Sequence, residues 1–202
     1  WYNARYLAVA RAYPKYVDLL ESEGYLDYSL LQVKALELLM DESVRKGLVY
    51  RNIFVDEFQD TDPVQMKIFK LLREGCDSFT VVGDEDQSIY AFRGADPEFF
   101  NGLVDGDDCS LVTLQTNYRS TSSIVSVNES FIKNCRSSGT CKDLGASRGD
   151  GGMIFTLTNS SRDDEAVNIA STVNDLISNG KVKCLSDIGI LFRSTAADVR
   201  LL

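Results

Sequence analysis

The chain has 202 residues, 44% of them apolar and 25% charged, with no histidine. Its 21 Lys and Arg against 30 Asp and Glu leave a net charge of −9, which excludes a binder that works by neutralising phosphates across a broad basic face. The missing histidine removes imidazole catalysis and His-ligated metals, and no apolar run approaches the ~18 residues that cross a membrane.

No signal-peptide pattern opens the sequence, and the cysteines at 76, 109, 135, 141 and 184 are odd in number and form no CxxC pair. They read as reduced thiols of a cytoplasmic protein.

In chain order, residues 2–13 and 15–22 have a helical pattern, with Pro14 forcing a break or a first-turn position between them. From Ser29 to about Lys46 the spacing of Leu31, Ala35, Leu38 and Leu39 predicts a helix with one apolar face. The period then changes. Ile53-Phe54-Val55 is a short unbroken apolar run ending in Asp56-Glu57, the pattern of a strand buried on both faces. Asp62 and Pro63 make an N-cap and N1 pair, and Val64, Ile68, Leu71 and Leu72 form the inner stripe of a helix stopped by Gly75.

Further strands are predicted at residues 79–82, running into the polar turn Gly83-Asp84-Glu85-Asp86-Gln87, and at 111–114, running into Asn117-Tyr118-Arg119. A loose Gly/Ser-rich stretch, roughly 137–152, follows. Residues 153–157 read as a strand. Ser161 then caps a helix with Asp163, Asp164 and Glu165 in its first turn and Ala166, Ile169, Ala170, Val173 and Ile177 on its inner face. Asn179-Gly180 ends it, and residues 188–192 read as another strand. Strands alternating with helices and ending in polar residues predict an α/β fold: a parallel sheet flanked by helices, with its site at the carboxyl ends of the strands.

A hydrophobic strand ending in two carboxylates is the Walker B arrangement of nucleotide hydrolases. There the first carboxylate holds Mg²⁺ through water and the second accepts a proton from the attacking water. The same pattern also marks any strand that meets solvent, so the pair alone leaves both readings open.

Three longer blocks narrow the choice: Val55-Asp56-Glu57-Phe58-Gln59-Asp60-Thr61, Val82-Gly83-Asp84-Glu85-Asp86-Gln87-Ser88-Ile89-Tyr90-Ala91-Phe92-Arg93-Gly94-Ala95-Asp96, and Asn117-Tyr118-Arg119-Ser120. In this order and spacing they closely resemble motifs II, III and IV of the UvrD/Rep/PcrA-type superfamily 1 helicases. Leu26-Asp27-Tyr28-Ser29-Leu30-Leu31 is similar to the segment upstream of motif II in that family. Asp187-Ile188-Gly189-Ile190-Leu191-Phe192-Arg193-Ser194 is similar to the one that follows motif IV.

The resemblance implies RecA-like P-loop NTPase motor domains that hydrolyse ATP with Mg²⁺ to translocate on single-stranded DNA and unwind duplex, with 3′-to-5′ polarity. It implies that Asp56 positions Mg²⁺, that Glu57 activates water, and that Gln87 reaches the γ-phosphate. Tyr118 would stack on adenine and Arg119 would reach the γ-phosphate from the second motor domain. Tyr90, Phe92 and Arg93 would face single-stranded DNA, where rings stack on any base and need little positive charge. The family usually carries Trp where Phe92 stands. A rival reading places Tyr90 and Phe92 in the core.

The 202 residues hold no Walker A loop. Asn179-Gly180-Lys181-Val182 lacks the upstream Gly and the Ser/Thr after Lys, and the glycines of 145–152 read as a linker. In the resembled family the phosphate loop lies before the segment matched here. The expectation is therefore an internal piece incomplete at both ends and inactive by itself. It would comprise the later part of the first motor domain, residues 1–115, and the start of the second, 116–202. Two other readings use the same residues: a non-hydrolysing paralogue that binds DNA or a partner, and a metal-dependent nuclease using Asp56, Glu57, Asp84 and Asp86.

Overall fold

A computed structural model describes residues 2–96, 98–104, 109–135 and 144–192. The chain divides into two compact units, Trp1–Gln115 with Glu129–Leu144, and Thr116–Asn128 with Gly145–Leu202.

The first unit opens with α1 (Tyr2–Glu23), one continuous helix with Pro14 inside it, where the sequence predicts a break or a first-turn position. Proline removes one helical N–H and costs roughly 3 kcal/mol in a helix interior; good helix formers on both sides (Ala8, Ala10, Arg11, Ala12 and Lys15) carry the helix through.

The next predicted helix is two. α2 (Tyr28–Met40) begins at Asp27, whose carboxylate accepts from the Leu30 amide, and α3 (Glu42–Gly47) begins at Asp41, which accepts from the Ser43 amide. Asp41 adopts an extended conformation, so the chain re-caps there instead of continuing. α2 buries Leu30 and Leu39, while Leu31 and Leu38 are exposed. The face turned inward is therefore rotated from the expected stripe, because it is set by packing on α3 and α4.

β1 (Asn52–Val55) and β2 (Ser78–Val81) pair in parallel, Ile53 opposite Phe79 and Val55 opposite Val81. Between them runs α4 (Pro63–Arg73), with a full capping box: the Asp62 carboxylate accepts from the Val64 and Gln65 amides, and Gln65 Oε1 accepts from the Asp62 amide. The expected stripe of Val64, Ile68, Leu71 and Leu72 is half-buried. Phe69 of α4 lies 6.5 Å from the Phe79 ring and 6.1 Å from that of Phe58, which fixes α4 over one face of the strand pair. The other face is open, with Phe54 74% exposed. This corrects the expectation that β1 is buried on both faces: a continuous apolar run shows that both faces can be covered, and here one layer of helix covers one of them.

After β2 come short 3₁₀ turns at Glu85–Gln87 and Ala91–Arg93, then α5 (Glu98–Val104), whose Phe100 ring lies 6.3 Å from that of Phe58. Phe58 is fully buried where these rings meet, a burial worth about 1.5–3 kcal/mol.

In the second unit β3 (Thr116–Asn117) pairs in parallel with β4 (Gly145–Ala146). α6 (Ser122–Cys135) leaves the loop after β3, with its residues up to Asn128 in this unit. α7 (Arg162–Ser178) is capped by Ser161 as expected, and Ala166, Ile169, Val173 and Ile177 are half-buried while Ala170 is exposed. Gly180, at φ +65, ends it: its amide bonds to the Ile177 carbonyl and the Lys181 amide to that of Leu176.

Three predicted strands, 111–114, 153–157 and 188–192, are not strands. Among the described residues none of them finds a ladder partner, and an apolar run without one has nowhere to place its backbone hydrogen bonds except water. The 145–152 stretch is not a free linker either. It contributes β4, and its Gly149 carbonyl, Arg148 guanidinium and Asp150 carboxylate all bond to residues 119–122. Residues 136–143, with Cys141, lie outside the described residues, as do Arg193 and Ser194.

Candidate active site at the carboxyl ends of the parallel strands

β1 and β2 run side by side, so the residues that follow them emerge at the same end of the sheet. After Val55 come Asp56 and Glu57, both exposed. Asp56 Oδ1 accepts the Glu57 amide at 2.9 Å. Glu57 is the only non-glycine at positive φ among the described residues, at φ 49 and ψ 42. That left-handed conformation costs a residue with a side chain roughly 1–3 kcal/mol and persists only where its surroundings hold it. Immediately after it the chain turns inward as a 3₁₀ turn, Phe58–Asp60, and buries Phe58 and Gln59.

The loop after β2 is tied to this turn. The Phe58 amide bonds to the Val82 carbonyl at 2.9 Å. Gln59, 1% exposed, donates from Nε2 to Glu57 Oε2 at 2.7 Å and accepts the Asp84 amide on Oε1 at 3.0 Å. The Ser88 hydroxyl donates to its backbone carbonyl at 3.3 Å. A carboxylate only accepts and an amide N–H only donates, so these two partners fix which way the Gln59 carboxamide points. Asp84 in turn caps the 3₁₀ turn, accepting the Asp86 amide on Oδ1 and the Gln87 Nε2 on Oδ2 at 2.8 Å. The structure thus brings Asp56, Glu57 and Gln87 onto one pair of neighbouring loops, and Gln87 is exposed.

Tyr90, Phe92 and Arg93 follow on the next turn. The Tyr90 and Phe92 rings are 6.0 Å apart, and the Arg93 guanidinium lies 5.0 Å from the first centroid and 5.5 Å from the second. Tyr90 is half-buried, but Phe92 is 79% exposed, so it is not a core residue. The three form a small cationic aromatic platform of the kind on which planar bases stack.

Tyr118 and Arg119 belong to the second unit. Asn117 Oδ1 accepts both the Arg119 and the Ser120 amides, at 2.9 and 2.8 Å, and Arg148 donates to the Arg119 carbonyl at 2.8 Å. This fastened backbone presents both side chains outward, with Tyr118 74% exposed.

Among the described residues no three Asp, Glu or Cys side chains converge on a metal-binding group. Asp56, Glu57, Asp84 and Asp86 therefore do not assemble the clamp of clustered carboxylates that a two-metal nuclease uses. The residue that the sequence reading left without a role is Gln59. It stands inside the block from Val55 to Thr61, but a glutamine after a phenylalanine carries no mark of burial.

An α/β protein with its polar residues gathered where parallel strands end is the class that the first unit defines. Residues 2–105 match the family model of the UvrD/REP helicase N-terminal domain, and residues 112–202 match that of the UvrD-like helicase C-terminal domain. Similar proteins include DNA helicase II of Haemophilus influenzae, 32% identical over 92% of this chain and 26% of its own length. The ATP-dependent DNA helicase PcrA of Bacillus subtilis is 33% identical over 90% of this chain and 26% of its own. For the ATP-dependent DNA helicase Rep of Buchnera aphidicola the values are 34%, 91% and 28%. The chain belongs to the UvrD/REP helicase family, and it spans about a quarter of the length of these curated relatives. None of its described helices is long and apolar enough to cross a membrane.

Proposed function

We propose that this chain is the interior of an ATP-driven DNA helicase motor: the later part of a first RecA-like P-loop domain up to residue 115 and the beginning of a second from residue 116. The observation that carries the reading is the placement of Glu57. Its carboxylate stands at the carboxyl end of a parallel strand, held in a strained left-handed turn and hydrogen-bonded toward the loop that bears Gln87. Strain of this kind gathers at reacting centres.

Asp56 suits Mg²⁺. Its carboxylate is exposed, and one oxygen takes a single backbone N–H, which fits a cation that keeps most of its waters and takes one or two protein carboxylates plus phosphates. When bound, the ion draws negative charge off the phosphates. Glu57 is then the base that takes a proton from the attacking water, and Gln87, an uncharged amide, is the hydrogen-bonding group that reads the terminal phosphate. Arg119 supplies phosphate charge compensation and Tyr118 a stacking face for adenine. Tyr90, Phe92 and Arg93 grip single-stranded DNA without sequence preference. The described cysteines are unpaired thiols, which goes with a reducing cytoplasm.

The test is Glu57→Gln in the full-length protein that contains this chain. Loss of a positioned general base costs about 10²–10⁴-fold, so DNA-stimulated ATP hydrolysis falls at least a hundredfold on that scale while DNA binding persists. Undiminished hydrolysis overturns the assignment. A full-length protein that binds DNA but never hydrolyses ATP supports the paralogue reading instead. In the same assay residues 1–202 alone give no turnover, for want of a loop that cradles the phosphates.

A further inference from the structure

We infer that Gln59 is a positioning residue that couples the water-activating carboxylate to the phosphate-reading loop; the inference rests on the reading of Glu57 and Gln87 given above. Four residues form one line of hydrogen bonds, which passes through the Asp84 backbone amide. Gln87 donates to the Asp84 carboxylate, the Asp84 amide donates to Gln59, and Gln59 donates to the Glu57 carboxylate. Gln59 is the one link that is buried, at 1% exposure, and both ends of its carboxamide are used. It therefore cannot turn to satisfy one loop without releasing the other.

The space around it is equally defined. A Cβ on Gly83 would lie 2.6 Å from Gln59 Oε1 and 3.3 Å from the Gln59 amide nitrogen. The glycine leaves room for the glutamine to sit against the loop after β2, and Ser88 closes the far side by donating to its backbone carbonyl. A buried carboxamide with neighbours of this kind is costly to leave half-satisfied. A shift of Gln87 on meeting phosphate therefore pulls, through Asp84 and Gln59, on the orientation of Glu57. Phosphate sensing and water activation become one event.

The experiment uses the full-length protein and three variants. Gln59→Met keeps the volume and removes both hydrogen bonds. Gln59→Glu keeps the acceptor for the Asp84 amide and removes the donor to Glu57. Gly83→Ala pushes on the carboxamide from the other side. A misplacement of about 1 Å costs on the order of a hundredfold; the expected result is a fall in kcat of about tenfold or more on that basis, with KM for ATP within about twofold. Hydrogen exchange over the peptide containing Asp84 speeds up in Gln59→Met and stays slow in Gln59→Glu. That separates the two ends of the carboxamide, which a merely structural role would not do.

If all three variants that fold keep wild-type kcat per folded molecule while Glu57→Gln abolishes turnover, the coupling is wrong and the reading of Glu57 stands. If Glu57→Gln itself keeps full turnover, both fall. Should Gln59→Met fail to fold, Gln59→Glu and Gly83→Ala decide on the same kinetic criterion.

Discussion

Gly83 shows how much one missing methyl can hold in place. Its neighbours at 2.6, 3.2 and 3.3 Å are Gln59 Oε1, the Phe100 ring and the Gln59 amide nitrogen, so alanine there forces the hydrogen-bonded Gln59 carboxamide to give way. Overpacking of this sort costs about 1–3 kcal/mol. Gly83→Ala therefore lowers the denaturant midpoint of the first unit with an unchanged m-value, measured by urea unfolding. Glu57 sits at the same scale. Its acidic neighbour and apolar strand are plain in the sequence, but the positive φ that aims its carboxylate follows from the inward turn of Phe58 and Gln59, and no local pattern encodes it.

Among the elements, caps were the most legible feature, because they depend on residues next to one another. Asp62 with Pro63, Ser161, and Asn179 with Gly180 all stand where the sequence placed helix ends. Removing the Asp62 carboxylate leaves two α4 amides without an acceptor. Asp62→Ala is expected to cost about 1 kcal/mol, read as a lower thermal midpoint.

Caps also set the acid sensitivity of the helices. Asp27 is held below its ordinary range chiefly by the Leu30 amide and then by the Tyr16 hydroxyl. Asp41 is lowered by the Ser43 hydroxyl and amide, and Asp164 by the hydroxyls of Ser160 and Ser161. A carboxylate with a depressed folded pKa contributes stability above its unfolded value of about 3.9 and loses it as pH falls through the folded one. Helicity followed by circular dichroism is thus level from neutral pH down to about 4 and falls below it. Asp27→Asn removes part of that acid transition. Strands were the least legible elements. Residues 53–55 and 79–81 became strands because each found the other, while 111–114, 153–157 and 188–192, equally apolar, find no ladder among the described residues. Pairing is a property of the partner as much as of the segment.

On the scale of the whole molecule, the sequence carried the family and the order of the blocks, because those blocks are long and chemically specific. It carried the burial far less well. Leu31, Leu38 and Phe54 all read as interior and are exposed, since an apolar pattern states what a residue can bury and a neighbouring layer decides whether it does. Among the described residues the first unit buries Leu30, Leu39, Phe58 and Ala95, and the second buries Val125.

The two-strand ladder of β1 and β2 has a practical consequence for anyone handling these 202 residues in isolation. With only each other to pair with among the described residues, both strands keep a raw flank of amides and carbonyls beside the uncovered Phe54. Such flanks template the addition of whatever extended chain arrives next. Light scattering of the purified polypeptide should rise with concentration, and Phe54→Lys, which puts a charge on the open face beside that edge, should keep the solution clear.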